Sequence, residues 1–272
     1  IGSQIATDWL KQLRQITDGQ QVIALAYGNP DVSLAKQLAP SELRNYYAFG
    51  KTQLEAALGR TVRSEPNGGW STGKSGLSYP LRKAYSDNRK ALTKLSRVVD
   101  DPELIKVRAQ LSKLLSPKLD KDSREFFSYS ARAAVDEIVR KLRINSGRYQ
   151  ITTTNVNLPV TVINEFDSEI TVNILMMPNN SRVLVNSFEN VTIPARSKKQ
   201  LEMGVTVIAP GETTVSVLIT DSDGNGIVPE TILTLNSTVI DSRVTWFTTG
   251  AAILLLLAGV TQSFRRVRRR VE

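Results

Sequence analysis

Residues 158–176 read LPVTVINEFDSEITVNILM, and this stretch decides the fold class of the second half of the chain. Apolar and polar side chains alternate with a period of two along residues 158–163 and again along residues 169–175. Such alternation is typical of β-strands that bury one face and leave the other in water. Because each strand has one apolar face, we expect the two runs to pair into sheets that pack as two layers.

The same strand pattern extends over about ninety residues around this stretch. Short runs rich in Val, Ile and Thr lie at residues 149–153, 159–164, 169–176, 182–186, 191–193, 199–208, 213–220 and 230–236. Turn signals separate them at Asn179-Asn180, Pro194, Pro210-Gly211 and residues 223–226. The pattern predicts an immunoglobulin-like β-sandwich over residues 148–240.

The composition narrows the chemistry that the chain can perform. Its 272 residues carry a formal net charge of +9 and include no Cys and no His. Without these two residue types, histidine-based catalytic triads, thiolate catalysis and His- or Cys-ligated zinc sites are excluded. Asp221 opens a turn that resembles half of a calcium loop, but Ile232 stands where a bidentate Glu is needed. We therefore predict no metal, no cofactor and no catalytic residue, and a non-enzymatic protein is favoured.

The first part of the chain predicts a partial, barrel-like α/β region. Residues 7–18 have helical spacing, residues 21–27 form an apolar run typical of a buried strand, and residues 32–38 are again helical. Asp31 follows the end of the predicted strand, where active sites collect in α/β folds. Asp31 is therefore a candidate ligand residue, and the alternative is that it caps the next helix.

A helical region follows. Residues 41–58 predict a helix, and residues 59–80, rich in Gly, Ser and Pro, predict a loop or a gap in the chain. Residues 81–115 and 120–144 have apolar residues at helical spacing, which predicts a helical hairpin over residues 81–147. Residues 1–58 are then the C-terminal remnant of an α/β domain. The basic residues spread along these helices are typical of solvated faces, so no nucleic-acid partner is predicted.

The C-terminal sequence predicts a membrane anchor. Residues 244–264 read VTWFTTGAAILLLLAGVTQSF and contain no charged residue, which is enough to span a hydrocarbon core of about 30 Å. Residues 265–272 form a basic tail that contains Arg265, Arg266, Arg268, Arg269 and Arg270. Arginines beside a span favour the cytoplasm, so we expect a single-pass plasma-membrane protein with most of the chain outside.

Small residues in this segment predict a contact with another membrane helix. Gly250, Ala251, Ala258 and Gly259 permit close helix approach, and Trp246 lies near the predicted interface. The predicted fold class is therefore α+β and multidomain, with the partial α/β and helical regions, the sandwich and one C-terminal transmembrane helix. Because an exported protein needs a signal peptide and the chain begins at Ile1, we expect it to be a fragment of a longer protein.

Four features together resemble a known family. They are residues 26–32 (AYGNPDV), residues 158–167 (LPVTVINEFD), the turns at residues 193–195 and 222–224, and the apolar segment with its Arg-rich tail. The chain resembles the C-terminal part of large actinobacterial exported proteins of unknown function, anchored by one span. Their genes tend to lie beside that of the lipid II flippase. No catalytic signature comes with this resemblance.

The resemblance implies a non-enzymatic accessory or scaffold subunit of a cell-envelope membrane complex. The multi-span lipid II flippase of peptidoglycan synthesis is the first expected partner. One alternative is an extracytoplasmic glycan-binding or glycan-processing protein whose α/β barrel includes Asp31 as one of two carboxylates. Another is an accessory subunit of a respiratory or transport complex.

Overall fold

The computed structural model describes residues 2–65, 73–238 and 250–260. Its first part is helical, with two very short strands. In chain order the elements are α1 (Gly2–Thr17), β1 (Ile23–Ala24), α2 (Val32–Leu38), α3 (Pro40–Leu58), β2 (Arg63–Ser64), α4 (Tyr79–Leu95), α5 (Pro102–Gln110), a 3₁₀ helix (Leu111–Leu115) and α6 (Lys121–Arg140).

Local sequence signals explain where these helices begin and end. α3 has Pro40 in its first turn, where the missing N–H costs nothing. It ends at Gly59, whose φ of 71° is the left-handed conformation that glycine adopts without strain. α5 begins after Asp101, whose carboxylate accepts a hydrogen bond from the backbone N–H of Glu103.

The nine remaining strands follow one another in chain order. They are β3 (Leu142–Ile144), β4 (Gly147–Ile151), β5 (Asn155–Asn164), β6 (Ile170–Pro178), β7 (Val183–Val185), β8 (Phe188–Ile193), β9 (Ser197–Val207), β10 (Gly211–Thr220) and β11 (Thr231–Ser237). They form a five-stranded sheet in the order β4-β11-β10-β6-β8 and a four-stranded sheet in the order β3-β5-β9-β7. Each of the eight strand segments predicted over residues 149–236 overlaps one of these strands.

One hydrophobic core joins the two sheets and the helices. The five-stranded sheet contributes buried side chains such as Val172, Ile174, Val215, Val217 and Leu233. The four-stranded sheet contributes Val160, Val162 and Met203, and the helices contribute Leu92, Leu104 and Ile138 to the same cluster. The alternation that predicted one apolar face per strand is therefore the alternation that lines this core.

The structure corrects several predicted boundaries. The predicted strand over residues 21–27 is reduced to β1, which pairs in parallel with β2 inside the predicted loop. The helical stretch over residues 81–115 is divided into α4, α5 and the 3₁₀ helix. The break lies at Asp101 and Pro102, where the sequence Asp100-Asp101-Pro102 predicts one, and the 3₁₀ helix was not predicted. The predicted second helix ends at Arg140, because residues 142–144 pair with β5.

The prediction of a membrane-spanning helix over residues 244–264 was wrong. The described C-terminal helix, α7, covers residues 250–260. None of the helices within the three described ranges is both long enough and apolar enough to cross a membrane. The transmembrane element of the fold class and the single-pass plasma-membrane localisation are corrected accordingly. Trp246 and the arginines at 265, 266, 268, 269 and 270 lie outside the described residues.

Candidate functional site

The most prominent apolar surface of the described chain is α7. Its large aliphatic side chains have exposed fractions between 44% and 74%. They are Ile253, Leu254, Leu255, Leu256, Leu257 and Val260. Because successive residues of a helix are about 100° apart, five consecutive aliphatic residues surround the helix on all sides. A helix in contact with water normally has a polar face, and the described residues of α7 have none.

The small residues predicted to make a membrane-partner contact are on α7, but they do not form one seam. Ala251 and Ala258 are seven residues apart and lie on one face, two turns from each other. Gly250 and Gly259 are nine residues apart, which places them on opposite sides of the helix. The stripe formed by Ala251, Leu254, Leu255 and Ala258 has the i, i+3, i+4, i+7 spacing of a packing face.

The side chain of Asp31 makes hydrogen bonds that hold the backbone in place. One carboxylate oxygen accepts hydrogen bonds from the backbone N–H groups of Ser33 (2.9 Å) and Leu34 (3.2 Å), which caps α2. The other oxygen accepts the N–H of Ser75 at 2.7 Å. The residue is only 5% exposed. Asp31 therefore holds the start of α2 and the chain at Ser75, and its position is not that of an open glycan-facing carboxylate.

A second surface feature is a cleft of about 590 Å³ between α3 and α5, here called the α3–α5 cleft. Its lining is mainly apolar and comprises Asn45, Ala48, Phe49, Thr52, Ser96, Val99, Asp100, Pro102, Leu104, Ile105, Arg108 and Ala109. Its volume is within the range of protein ligand sites. The cleft was not predicted from the sequence, because α3 and α5 are distant along the chain.

Arg108, which lines this cleft, belongs to a buried ion pair. The Nε of Arg108 donates to Glu42 Oε2 at 2.8 Å, and its Nη2 donates to Glu42 Oε1 at 2.5 Å. A third guanidinium nitrogen donates to Ser96 Oγ at 2.9 Å. Thr93 donates its hydroxyl to Glu42 at 3.3 Å. Glu42 is fully buried, and it lies four residues before the buried Tyr46 on α3. An acidic residue on an apolar helical stripe is the sequence signal that could have identified this pair.

Two tyrosines lie beside this pair in the same helical core. The hydroxyl oxygens of Tyr46 and Tyr85 are 2.8 Å apart, and both residues are fully buried. Burial raises the pKa of the Tyr85 hydroxyl to about 12 and raises the pKa of the Tyr46 hydroxyl further. Both hydroxyls are therefore neutral at physiological pH and act as a hydrogen-bonded link between α3 and α4.

In the described parts of the chain, no three His, Cys, Asp or Glu side chains are grouped so that they could hold a metal ion. Asp221 Oδ1 accepts hydrogen bonds from the backbone N–H groups of Asp223 (3.1 Å) and Asn225 (2.8 Å). Asp221 Oδ2 accepts from Arg97 Nη1 at 2.8 Å. These contacts make residues 221–226 a turn, as the sequence predicted.

Comparisons with solved structures gave only weak similarities. The MSP family member WR4 of C. elegans is 14% identical, with 36% of this chain and 98% of that chain covered and a TM-score of 0.27. The secreted serine protease VesC of Vibrio cholerae is 14% identical, with coverages of 38% and 24% and a TM-score of 0.29. Salmonella alpha-2-macroglobulin reacted with methylamine is 16% identical, with coverages of 35% and 7% and a TM-score of 0.29. Neither fold nor function is inferred from similarities this low.

Sequence comparison is more informative. No curated protein matches the chain. A family model does match, over residues 35–270, which is most of the chain and includes α3, the sandwich and α7. The chain therefore belongs to DUF6049, a family of unknown function.

Proposed function

We propose that this protein is a non-enzymatic accessory or scaffold subunit of a cell-envelope complex, and that α7 is the segment through which it binds its partner. The observation that carries the proposal is the exposure of aliphatic side chains on every side of α7. Transfer of apolar surface out of water contributes roughly 25 cal/mol per Å². Leu254, Leu255 and Leu256, each at least 69% exposed, are therefore the side chains that gain most from a partner.

The proposed contact is helix packing on one face of α7. The face with Ala251 and Ala258 permits close approach of a partner helix, while Leu254 and Leu255 fill the space between neighbouring side chains of that helix. The lipid II flippase is the first partner to test, because the family resemblance implies it. An accessory role in another membrane complex would use the same face with a different partner.

The test is co-purification of the tagged full-length protein with the flippase from native cells in mild detergent. Ala251→Phe places a bulky group on the packing face, and we expect it to reduce flippase recovery at least about tenfold. Ala252→Phe is the matched control, because the same substitution one residue later points about 100° away. We expect Ala252→Phe to retain most of the recovery.

A charged substitution tests the apolar character of α7 independently. Leu254→Asp should abolish recovery, whereas Ile232→Asp, at a residue of the sandwich that is 52% exposed, should not. Equal recovery with all four variants would exclude α7 as the binding segment. A different outcome is that the wild-type sample contains another multi-span protein and no flippase, and that the α7 variants lose this protein. That outcome would exclude the flippase and identify a different complex.

The glycan-binding alternative draws no support from Asp31. Both oxygens of its carboxylate accept backbone hydrogen bonds, so a glycan hydroxyl would have to displace a bond that holds α2 or Ser75. The accessory role is therefore the function that the described geometry favours.

A further inference from the structure

The α3–α5 cleft has the shape of a groove between two helices. One wall is a stripe on α3 with the spacing i, i+3, i+4, i+7, formed by Asn45, Ala48, Phe49 and Thr52. The other wall is the face of α5 formed by Pro102, Ile105, Arg108 and Ala109. Each wall is two helical turns long, or about 10 Å. This length matches two turns of a third helix.

The cleft is apolar where such a helix would lie. Val99 and Leu104 at the cleft are buried, with exposed fractions of 4% and 1%. Ile105 is 48% exposed although it is a large aliphatic residue. Phe49, on the opposite wall, packs edge-on against Tyr27, with ring centroids 4.9 Å apart, and this contact restricts its position. The apolar surface is thus preformed.

The charges at the cleft decide which partner fits. Arg108 is bound to Glu42 by two hydrogen bonds and to Ser96 by a third, so its charge is already compensated. Asp100 is exposed at the rim, and it has no ion pair within the described part of the chain. Of the two charged residues that line the cleft, Asp100 is thus the one without an ion pair in the described part of the chain, and a cation on the partner is complementary to it.

We propose that the α3–α5 cleft binds an amphipathic helix of a partner protein, with aliphatic residues at i, i+3, i+4 and i+7 and a Lys or Arg positioned to pair with Asp100. This is the helix-in-groove mode of recognition, in which apolar anchors provide affinity and the charge at the rim sets orientation. The cleft is separate from α7, so this interaction does not depend on the function proposed for α7.

The test uses the full chain and a synthetic helical peptide of about fourteen residues, with Leu at the i, i+3, i+4, i+7 spacing and one Lys beyond the last Leu. Binding is measured by calorimetry. We expect Ile105→Asp to weaken binding at least about tenfold, because it places a charge among the apolar anchors. We expect Asp100→Asn to weaken binding about threefold, the size typical of an exposed ion pair.

Matched controls make the result specific. Ile232→Asp and Asp223→Asn change exposed residues of the same types on the sandwich and should leave peptide affinity unchanged. A peptide of the same composition with scrambled Leu positions should bind much more weakly. The proposal is overturned if the Leu-spaced peptide does not bind at about 1 mM, if the scrambled peptide binds equally well, or if Ile105→Asp leaves affinity unchanged.

Discussion

At the residue scale, Glu42 is the side chain on which the helical region depends most. A fully buried, charged carboxylate is stable in a protein interior only when it is paired with a cation and hydrogen-bonded. Arg108 supplies the pairing through two nitrogens, and Thr93 adds a hydroxyl. Because these three residues belong to α5, α4 and α3, one buried carboxylate joins three helices.

This arrangement predicts a large effect of a small change at Glu42. Glu42→Gln keeps the size of the side chain but leaves the guanidinium of Arg108 without a counter-charge. We expect a loss of about 3 kcal/mol in the free energy of unfolding, measured by urea denaturation. Glu125→Gln, at an exposed residue of α6, is the control and should change stability by less than about 0.5 kcal/mol. A similar stability of the two variants would contradict this role for the buried pair.

At the element scale, a glycine determines how closely α3 approaches β1. A Cβ built on Gly50 would lie 2.3 Å from the carbonyl oxygen of Leu25 and 2.8 Å from the backbone nitrogen of Tyr27. Both atoms belong to the backbone, so neither can move away as a flexible side chain would. The close approach is fixed further by the hydrogen bond from Tyr27 N–H to the carbonyl oxygen of Tyr46, at 2.9 Å.

Two effects oppose each other when Gly50 is replaced by Ala. Ala favours a helix over Gly by about 1 kcal/mol, whereas overpacking against a backbone typically costs about 1–3 kcal/mol. Because the contact of 2.3 Å is far below van der Waals distance, we expect the clash to dominate, with a net loss of about 2 kcal/mol in unfolding free energy. Gly76→Ala, where no atom lies within 4 Å of the added Cβ, should be near neutral in the same denaturation experiment. A stabilised Gly50→Ala variant would show that β1 can move.

At the scale of the whole molecule, polar contacts join the helices to the sandwich. Arg97 at the end of α4 pairs with Asp221 in the turn after β10. Asp101 accepts the backbone N–H of Asp167 at 3.1 Å, in the loop between β5 and β6. Lys141 lies over the ring of Phe166 and pairs with Glu103. These contacts accompany the shared hydrophobic core, so we expect helices α2 to α6 and the two larger sheets to unfold together.

The Arg97–Asp221 contact predicts a specific dependence of stability on pH. The Arg97 guanidinium, with hydrogen bonds from Asn225, lowers the pKa of the Asp221 carboxyl from its usual value to about 2. A carboxyl with a lowered folded-state pKa stabilises the protein above its ordinary pKa, near 4, and loses that contribution as pH falls toward 2. Asp221→Asn should therefore be less stable than wild type at pH 7, with the difference shrinking between pH of about 4 and about 2. Thermal unfolding across this range measures it.

The control for this prediction is Asp223→Asn, in the same turn. The side chain of Asp223 is exposed, and the turn uses its backbone N–H rather than its carboxylate. We expect this variant to follow the wild-type stability curve throughout the acid range. A difference between wild type and Asp221→Asn that stays constant down to pH of about 2 would contradict the assigned role of the ion pair.

The sequence by itself determined the local structure of this protein. Period-two alternation located the strands of the sandwich, because the side chains of each strand point to two faces and only one face is buried. Helix signals located α3 and α6. The helix cap at Asp31 was the alternative to a ligand role, and residues 221–226 were predicted to form a turn. The absence of His and Cys excluded classes of chemistry without any structural information.

Tertiary structure alone decided the rest. The pairing of Glu42 with Arg108, the approach of Gly50 to β1 and the α3–α5 cleft each bring together residues that are distant along the chain, and no local pattern encodes such distances. Sequence periodicity reports the faces of elements, whereas sites arise from the packing of those faces against one another.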